Sequence, residues 1–548
     1  MKLDKALLDS NAEIAELASD HGGNLDARGS YNTLDFVVRL RPDLHRILEE
    51  SGSGIDFRNV GSWEAAHAAS TYLHETIHWW QHVGTTSGLM LSFLQPAHAH
   101  MNRQSLNQVL TRHGAIKPLV QLAEQILDEG AKDEDLNRVL NNWNDLEFFR
   151  KLVISPGELV EQVSTNPYFL SVGHSYQMAI GATSWLIAAT LDPNYEVLPH
   201  PRDWEDAMTQ LRLSSQQGFY KGSPIEVPPL GAKHIFEGQA CFSQLQYLYG
   251  ASGGKLSWDE IRSKGMLSGV YGHAFSVFLT QAEEEWPATA DDPIVGLFLL
   301  ICDLALSPSE GLLLPMTDPS ALIWSTDPAW RFLFLCGIAK DKGYEFKRSI
   351  QKYSADEYWH VSEILSSALL SPGPREIATT VVGWADHEPS WKALVEEDRT
   401  FEFQEGNFPI RVLLAKFIRF QRDKLDAPHF FCWPGMCMTT YRQPISEQVA
   451  ITLFNEHQAL FLNRADLDVY PRLLPGKSEV ALQRLVDDFF MWVSTYEMTR
   501  QWIEESGSFD YDYGWLTSKF STAETKTWAD ASFEKSSGAH PDQFKVLS

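Results

Sequence analysis

His74-Glu75-Thr76-Ile77-His78, inside the run Trp63 to Val83, decides how this chain is read. An α-helix turns once per 3.6 residues, so residues four apart stand one above the other on one face. The run carries helical marks at both ends, with Ser62 as the expected N-cap and Gly84 as the closing residue. Ala66, Ala69, Leu73, Ile77 and Trp80 form one apolar stripe, and Thr85-Thr86-Ser87-Gly88 reads as the turn that follows. On such a helix two imidazoles reach a single Zn²⁺ from the same side. Glu75, about 100° around the helix, contacts water at the ion rather than the ion itself. A chain with 18 histidines can hold such a pentad by accident, as a helix whose histidines only hydrogen-bond. The cap, the stripe and the strand-like residues upstream favour the metal.

Bulk composition bounds the rest. At 548 residues the length suggests several domains, and 44% hydrophobic with 21% charged residues is ordinary for globular protein. A net charge of −27 argues against nucleic acid as a partner, because phosphate binding needs a dense cationic surface. The N-terminus has no apolar stretch of signal-peptide length. The apolar run Ile294 to Leu306 is too short to span a bilayer and is broken by Cys302-Asp303, so no membrane is expected. Cys241, Cys302, Cys336, Cys432 and Cys437 are scattered, which implies neither a disulfide framework nor a cysteine zinc site, and a cytoplasmic location is expected.

The pattern along the chain is mainly α, of the α+β class. Residues 1–30 read as a polar N-terminal segment with a glycine loop at His21-Gly22-Gly23-Asn24. Leu34 to Leu40 and Ile55 to Val60 alternate like strands. Residues 31–290 are expected to form the catalytic core, interrupted by a helical insertion at about 85–228. A helical region is expected over 291–520, and a polar, frayed tail over 521–548. Helices are expected at 104–113, 117–129, 135–152, 157–164, 175–191, 230–249, 258–264, 267–286 and 293–306. Further ones are expected at 330–342, 356–370, 390–398, 410–423, 445–462 and 480–505, with proline-rich loops near 307–329 and 371–375.

A catalytic zinc site needs three protein ligands and an open position for water. The third is not supplied by continuing the pentad: Gln81 stands where a glycine would precede a third histidine, and none follows at Gly84 or Thr85. His82 shares the face of His74 and His78. Successive turns climb about 5.4 Å, however, so one ion cannot take all three from a straight helix. His67, a heptad upstream of His74, is excluded in the same way. What remains is a carboxylate from a second helix. Glu237, followed by the small residues Gly238 and Ala240 that allow close packing on the motif helix, is the leading candidate. Glu456, Glu158 and Glu161 are its rivals.

At these residues the chain resembles the zincin metallopeptidases of the gluzincin group, in which HExxH is joined by a downstream glutamate. The resemblance covers the motif helix, the Glu237 helix and the strands before them. It implies His74, His78 and Glu237 as ligands of one Zn²⁺ per chain, Glu75 as general base, and a zincin-like core with a few N-terminal strands. Two departures stand out. The gap from His78 to Glu237 is long, and the aspartate that often orients a zinc histidine four residues after the glutamate is here Cys241.

Under that resemblance Glu75 takes the proton of a zinc-activated water and passes it to the leaving amine. Tyr271 and His273 are the first candidates to stabilise the oxyanion, with His174, Tyr176 and Tyr220 behind them. The expected activity is zinc-dependent hydrolysis of a protein or peptide, open to control by a regulatory protein partner. The alternatives are a non-catalytic scaffold with a structural or degenerate zinc site, and a metal-dependent amidase. The intact Glu75 speaks against the scaffold, since a structural site has no use for it.

Overall fold

Ser62 does cap the motif helix. Its hydroxyl accepts from the Ala65 amide at 3.1 Å, and the helix runs over Trp63–Gly84. The computed structural model describes residues 29–31, 36–50, 61–466, 468–474, 476–513 and 521–547. The polar segment and glycine loop expected before residue 29, and the strand expected at 55–60, lie outside those residues. Among the described residues the chain is mainly helical, with six short strands.

The motif helix is enclosed on every side rather than along one stripe, with every residue but Glu64 buried. It packs against the helices Pro42–Glu50, Thr86–Met101, Ala232–Ala251 and Phe408–Asp426, and against strands β1 (Gly29–Tyr31) and β2 (Val37–Leu40). The turn expected at Thr85 to Gly88 shrinks to a single residue. Thr85 donates its hydroxyl to Gln81 O at 2.6 Å and accepts from the Gly88 amide at 3.1 Å, so it ends one helix and starts the next. Gly88 is obligatory there, because a Cβ would lie 2.0 Å from the Gln81 carbonyl oxygen.

The strands are assembled from both ends of the chain. β3 (Ile116–Lys117) pairs in parallel with β6 (Lys545–Val546), apart from the main sheet. β4 (Phe461–Asn463) and β5 (Val469–Pro471) complete that sheet in the order β1-β2-β4-β5. β2 and β4 are parallel, with Val37 opposite Phe461, and the other two pairings are antiparallel. Asn463 locks the parallel pair, accepting from the Leu40 amide at 2.8 Å and donating to Leu40 O at 2.9 Å. The helix expected over 445–462 therefore stops at Glu456. The buried run Ala459-Leu460-Phe461 gains more by joining the sheet than by extending an exposed helix.

Most of the other expected helices form within a few residues of their limits. An additional helix runs over Pro374–His387, starting in the expected proline loop with Pro374 in its first turn. One hydrophobic core takes side chains from Phe36 through Val493, so residues 31–290 and 291–520 share it. The final stretch is docked, not frayed. Its helix Thr522–Ser537 is capped by a Ser521–Glu524 box, and Ala529, Phe533, Phe544 and Leu547 bury against Trp502 in a second, smaller core. Among the described residues no helix is long and apolar enough to cross a membrane.

Candidate metal centre

The helix Ala232–Ala251 crosses the motif helix and faces Glu237 to the two histidines. Four contacts run along the junction. Gln244 Nε2 donates to Ser70 Oγ at 3.1 Å, the Phe236 ring lies 4.9 Å from that of His82, and Gln81 bonds to Phe236 and Gln239. Gly238 does not serve this junction, as its position beside Glu237 had suggested. A Cβ there would press on Ala274 and Phe298 at 3.2 Å, so Gly238 admits the helix Val270–Ala282, which carries Tyr271.

His74 Nε2 and His78 Nε2 are 3.1 Å apart, and each lies close to Glu237 Oε2, at 3.4 and 3.5 Å. Donors around a tetrahedral zinc, each about 2.0–2.1 Å from it, stand roughly 3.3–3.4 Å from one another. The triangle therefore matches one face of such a tetrahedron. Both histidines are buried, whereas the Glu237 side chain is 30% exposed and marks the open side. The donor set of two imidazoles and one carboxylate suits Zn²⁺.

Each group's charge responds to the others. Burial works to lower the affinity of His78 for a proton, but the Glu237 carboxylate outweighs it and lifts its pKa to about 9. Burial would raise Glu237, and the imidazoles of His78 and His74 overcome that to hold it well below the usual carboxylate range. Glu75 is shifted upward, mainly by burial and also by Glu237, against the pull of His74 and His78. A carboxyl raised in this way beside a metal site is suited to take and return a proton.

Tyr271 lies beside the cluster. Its ring lies 6.1 Å from that of His74, and burial, Glu237 and Glu75 all raise its pKa, so it stays a hydrogen-bond donor. His273 does not join it. Its Nε2 donates to Pro229 O at 3.3 Å, its ring packs 4.6 Å from His234, and among the described residues it makes no hydrogen bond to the three ligands. The secondary candidates are engaged elsewhere too: His174 with Asp145 at 3.1 Å, and Tyr176 with Asp327. Tyr220 sits on the surface loop before Pro224.

The other candidate ligands are also accounted for. His82 donates Nδ1–H to His78 O at 2.8 Å, and burial lowers its pKa to about 4, so it is a neutral helix-bound side chain. His67 packs edge-on against Trp63 at 4.8 Å, away from the cluster. Glu456 pairs with Arg419 at 3.1 Å and Glu158 with Lys233 at 3.0 Å. Glu161 lies exposed in the helix Pro156–Ser164 and is not among the converging ligands. Cys241 donates its thiol to Met266 O at 3.2 Å and orients neither histidine.

In the sequence Gln81 stands out only as the residue at the place of a glycine. Its Oε1 lies 2.8 Å from His78 Nδ1, and its place at i+3 from His78 was the signal available. Among the described residues the buried Nδ1 of His74 has no hydrogen-bond partner, so there the two histidines are supported unequally. No family model, curated protein or solved structure matches this chain.

Proposed function

We propose that this chain is a zinc-dependent metallopeptidase of gluzincin type. The observation that carries the reading is the tetrahedral spacing of His74 Nε2, His78 Nε2 and Glu237 Oε2, with Glu75 and Tyr271 beside it. A Zn²⁺ held by those three atoms would acidify water and polarise a scissile carbonyl. Glu75 accepts the water proton and returns it to the leaving amine, which its upward-shifted carboxyl favours. The Tyr271 hydroxyl, kept protonated by its surroundings, donates to the oxyanion that develops on the carbonyl. Burial of Glu75 and both histidines favours a narrow approach, which suits an extended peptide segment or a small amide over a folded surface.

Metal analysis and a fluorogenic peptide library test the proposal together. Wild type should hold about one zinc and cleave. Glu75→Gln should keep the zinc and lose cleavage, and Glu237→Ala should lose both. Cleavage surviving in Glu75→Gln would overturn the reading. Zinc present without cleavage by wild type would favour a structural site instead.

A further inference from the structure

The carboxamide of Gln81 touches both halves of the centre at once. Its Nε2 lies 2.9 Å from Phe236 O and 2.9 Å from Gln239 Oε1, both on the Glu237 helix. Its Oε1 lies 2.8 Å from His78 Nδ1 on its own helix. The orientation of this amide follows from its neighbours. A backbone carbonyl can only accept, so the group facing Phe236 O is the NH₂, and the oxygen faces His78. An oxygen facing His78 Nδ1 requires a proton on that nitrogen. The neutral ring then carries its hydrogen on Nδ1, and its only lone pair is on Nε2, the atom that points at His74 and Glu237.

We infer that Gln81 is the positioning residue of this centre: it fixes His78 as an Nε2 ligand and ties that ligand to the backbone carbonyl next to Glu237. The inference rests on the metallopeptidase reading for its use, though not for its geometry. Gln81 fills the role for which the resemblance pointed to an aspartate at Cys241. It does so with a neutral group. A second carboxylate at this depth would crowd Glu75 and Glu237, whereas an amide accepts from the imidazole and adds no charge. One side chain also links the spacing of the two ligand-bearing helices to the ring orientation of one ligand. Among the described residues His74 has no such partner, its Nδ1 being buried without a hydrogen bond there. Of the two histidines, the loss of Gln81 should therefore be felt at His78.

The test compares Zn²⁺ affinity, by competition with a chromophoric chelator, in the full chain and three variants. It adds the Nδ1 proton resonance of His78 in the zinc-loaded, ¹⁵N-histidine-labelled protein. Gln81→Met should weaken zinc by about 10- to 100-fold and shift or broaden that resonance. Gln81→Glu keeps an acceptor at the same reach and should retain the resonance, while its added charge and lost donor to Phe236 O set its zinc affinity apart from that of wild type. Gln239→Ala removes one interhelical contact and leaves His78 untouched, so it should stay within about threefold of wild type. If Gln81→Met does not fold, Gln81→Asn, whose oxygen is withdrawn by about 1.5 Å, carries the same expectation. Wild-type affinity in Gln81→Met with an unmoved resonance would overturn the role of Gln81 and leave the metallopeptidase reading standing. A Gln239→Ala loss equal to that of Gln81→Met would reduce Gln81 to helix packing and also overturn it. Wild type that takes up no zinc would sink both.

Discussion

Two clusters of metal-ligating side chains converge among the described residues, His74–His78–Glu237 and Asp530–His540–Asp542, and they differ in what balances their charge. The second already holds a cation. Lys526 Nζ lies 2.5 Å from Asp530 Oδ2 and 3.1 Å from Asp542 Oδ1, and Tyr511 donates to the other Asp530 oxygen at 2.6 Å. In the first, the ion pairs of Glu237 among the described residues are with the two histidines only, and the charge that balances it is a proton on His78 that an ion can displace to free three converging lone pairs. Ligand atoms within reach of one another do not make a metal site. A site needs converging lone pairs that no fixed cation of the protein compensates.

Deleting ligands from each cluster in turn should break this comparison most sharply. His78→Ala should lower zinc affinity by at least about 10³-fold, because the ion loses one of its three protein ligands. Asp530→Asn combined with Asp542→Asn should leave bound zinc unchanged by elemental analysis. Zinc following the second pair would reverse the assignment.

A pH titration of zinc binding comes next. With His78 raised to about 9 in the metal-free chain, Zn²⁺ must displace a proton at any lower pH. Apparent affinity should therefore fall about tenfold for each pH unit below about 9, and flatten above it. The sign for folding is opposite. A folded-state pKa above the unfolded value, about 6.5, gives the metal-free chain a contribution that is complete below pH 6.5 and lost as pH rises through 9. Melting of the metal-free protein should weaken from this group over that window, while the zinc-loaded protein should not follow it. Equal pH trends with and without zinc would show that His78 is not where the ion and the proton compete.

The half of the centre written in local sequence was legible. Ser62, the helical spacing of His74 and His78, and the axial rise that excludes His82 all act within one helix, where neighbours in sequence are neighbours in space. Glu237 was reachable as a candidate but not decidable, because which carboxylate meets the histidines depends on how two distant helices cross. Gly238 shows the limit: a small residue marks a close approach, and the sequence does not say to which neighbour. Gln81 was in plain view, yet its meaning lies in Phe236 O and Gln239, one helix away. The same reason hid β4. Its pairing with β2 joins residues more than four hundred apart, and Leu460-Phe461 extends a helical pattern unless that partner is known.

Tyr271→Phe asks whether the first cluster works beyond holding an ion. Removing one donor to a developing oxyanion should lower kcat about 10²-fold with zinc content unchanged. His273→Ala, whose ring is committed to Pro229 and His234, should leave kcat within about threefold. If the two effects were exchanged, the geometry around His74 would have been misread, since the same helix carries both residues.

The smallest effect expected comes from Lys526→Met. The lysine side chain is 37% exposed, so losing its ion pairs should change stability by less than about 1 kcal/mol. Its removal uncovers two carboxylates beside His540, and charge compensation then predicts a weak divalent-cation site where wild type has none. Calorimetry with Ca²⁺ and Zn²⁺ should detect millimolar binding in the variant alone. Wild type binding equally well would mean that the ammonium does not stand in for an ion. The contrast between the clusters would then rest on the rigidity of the motif helix and not on charge.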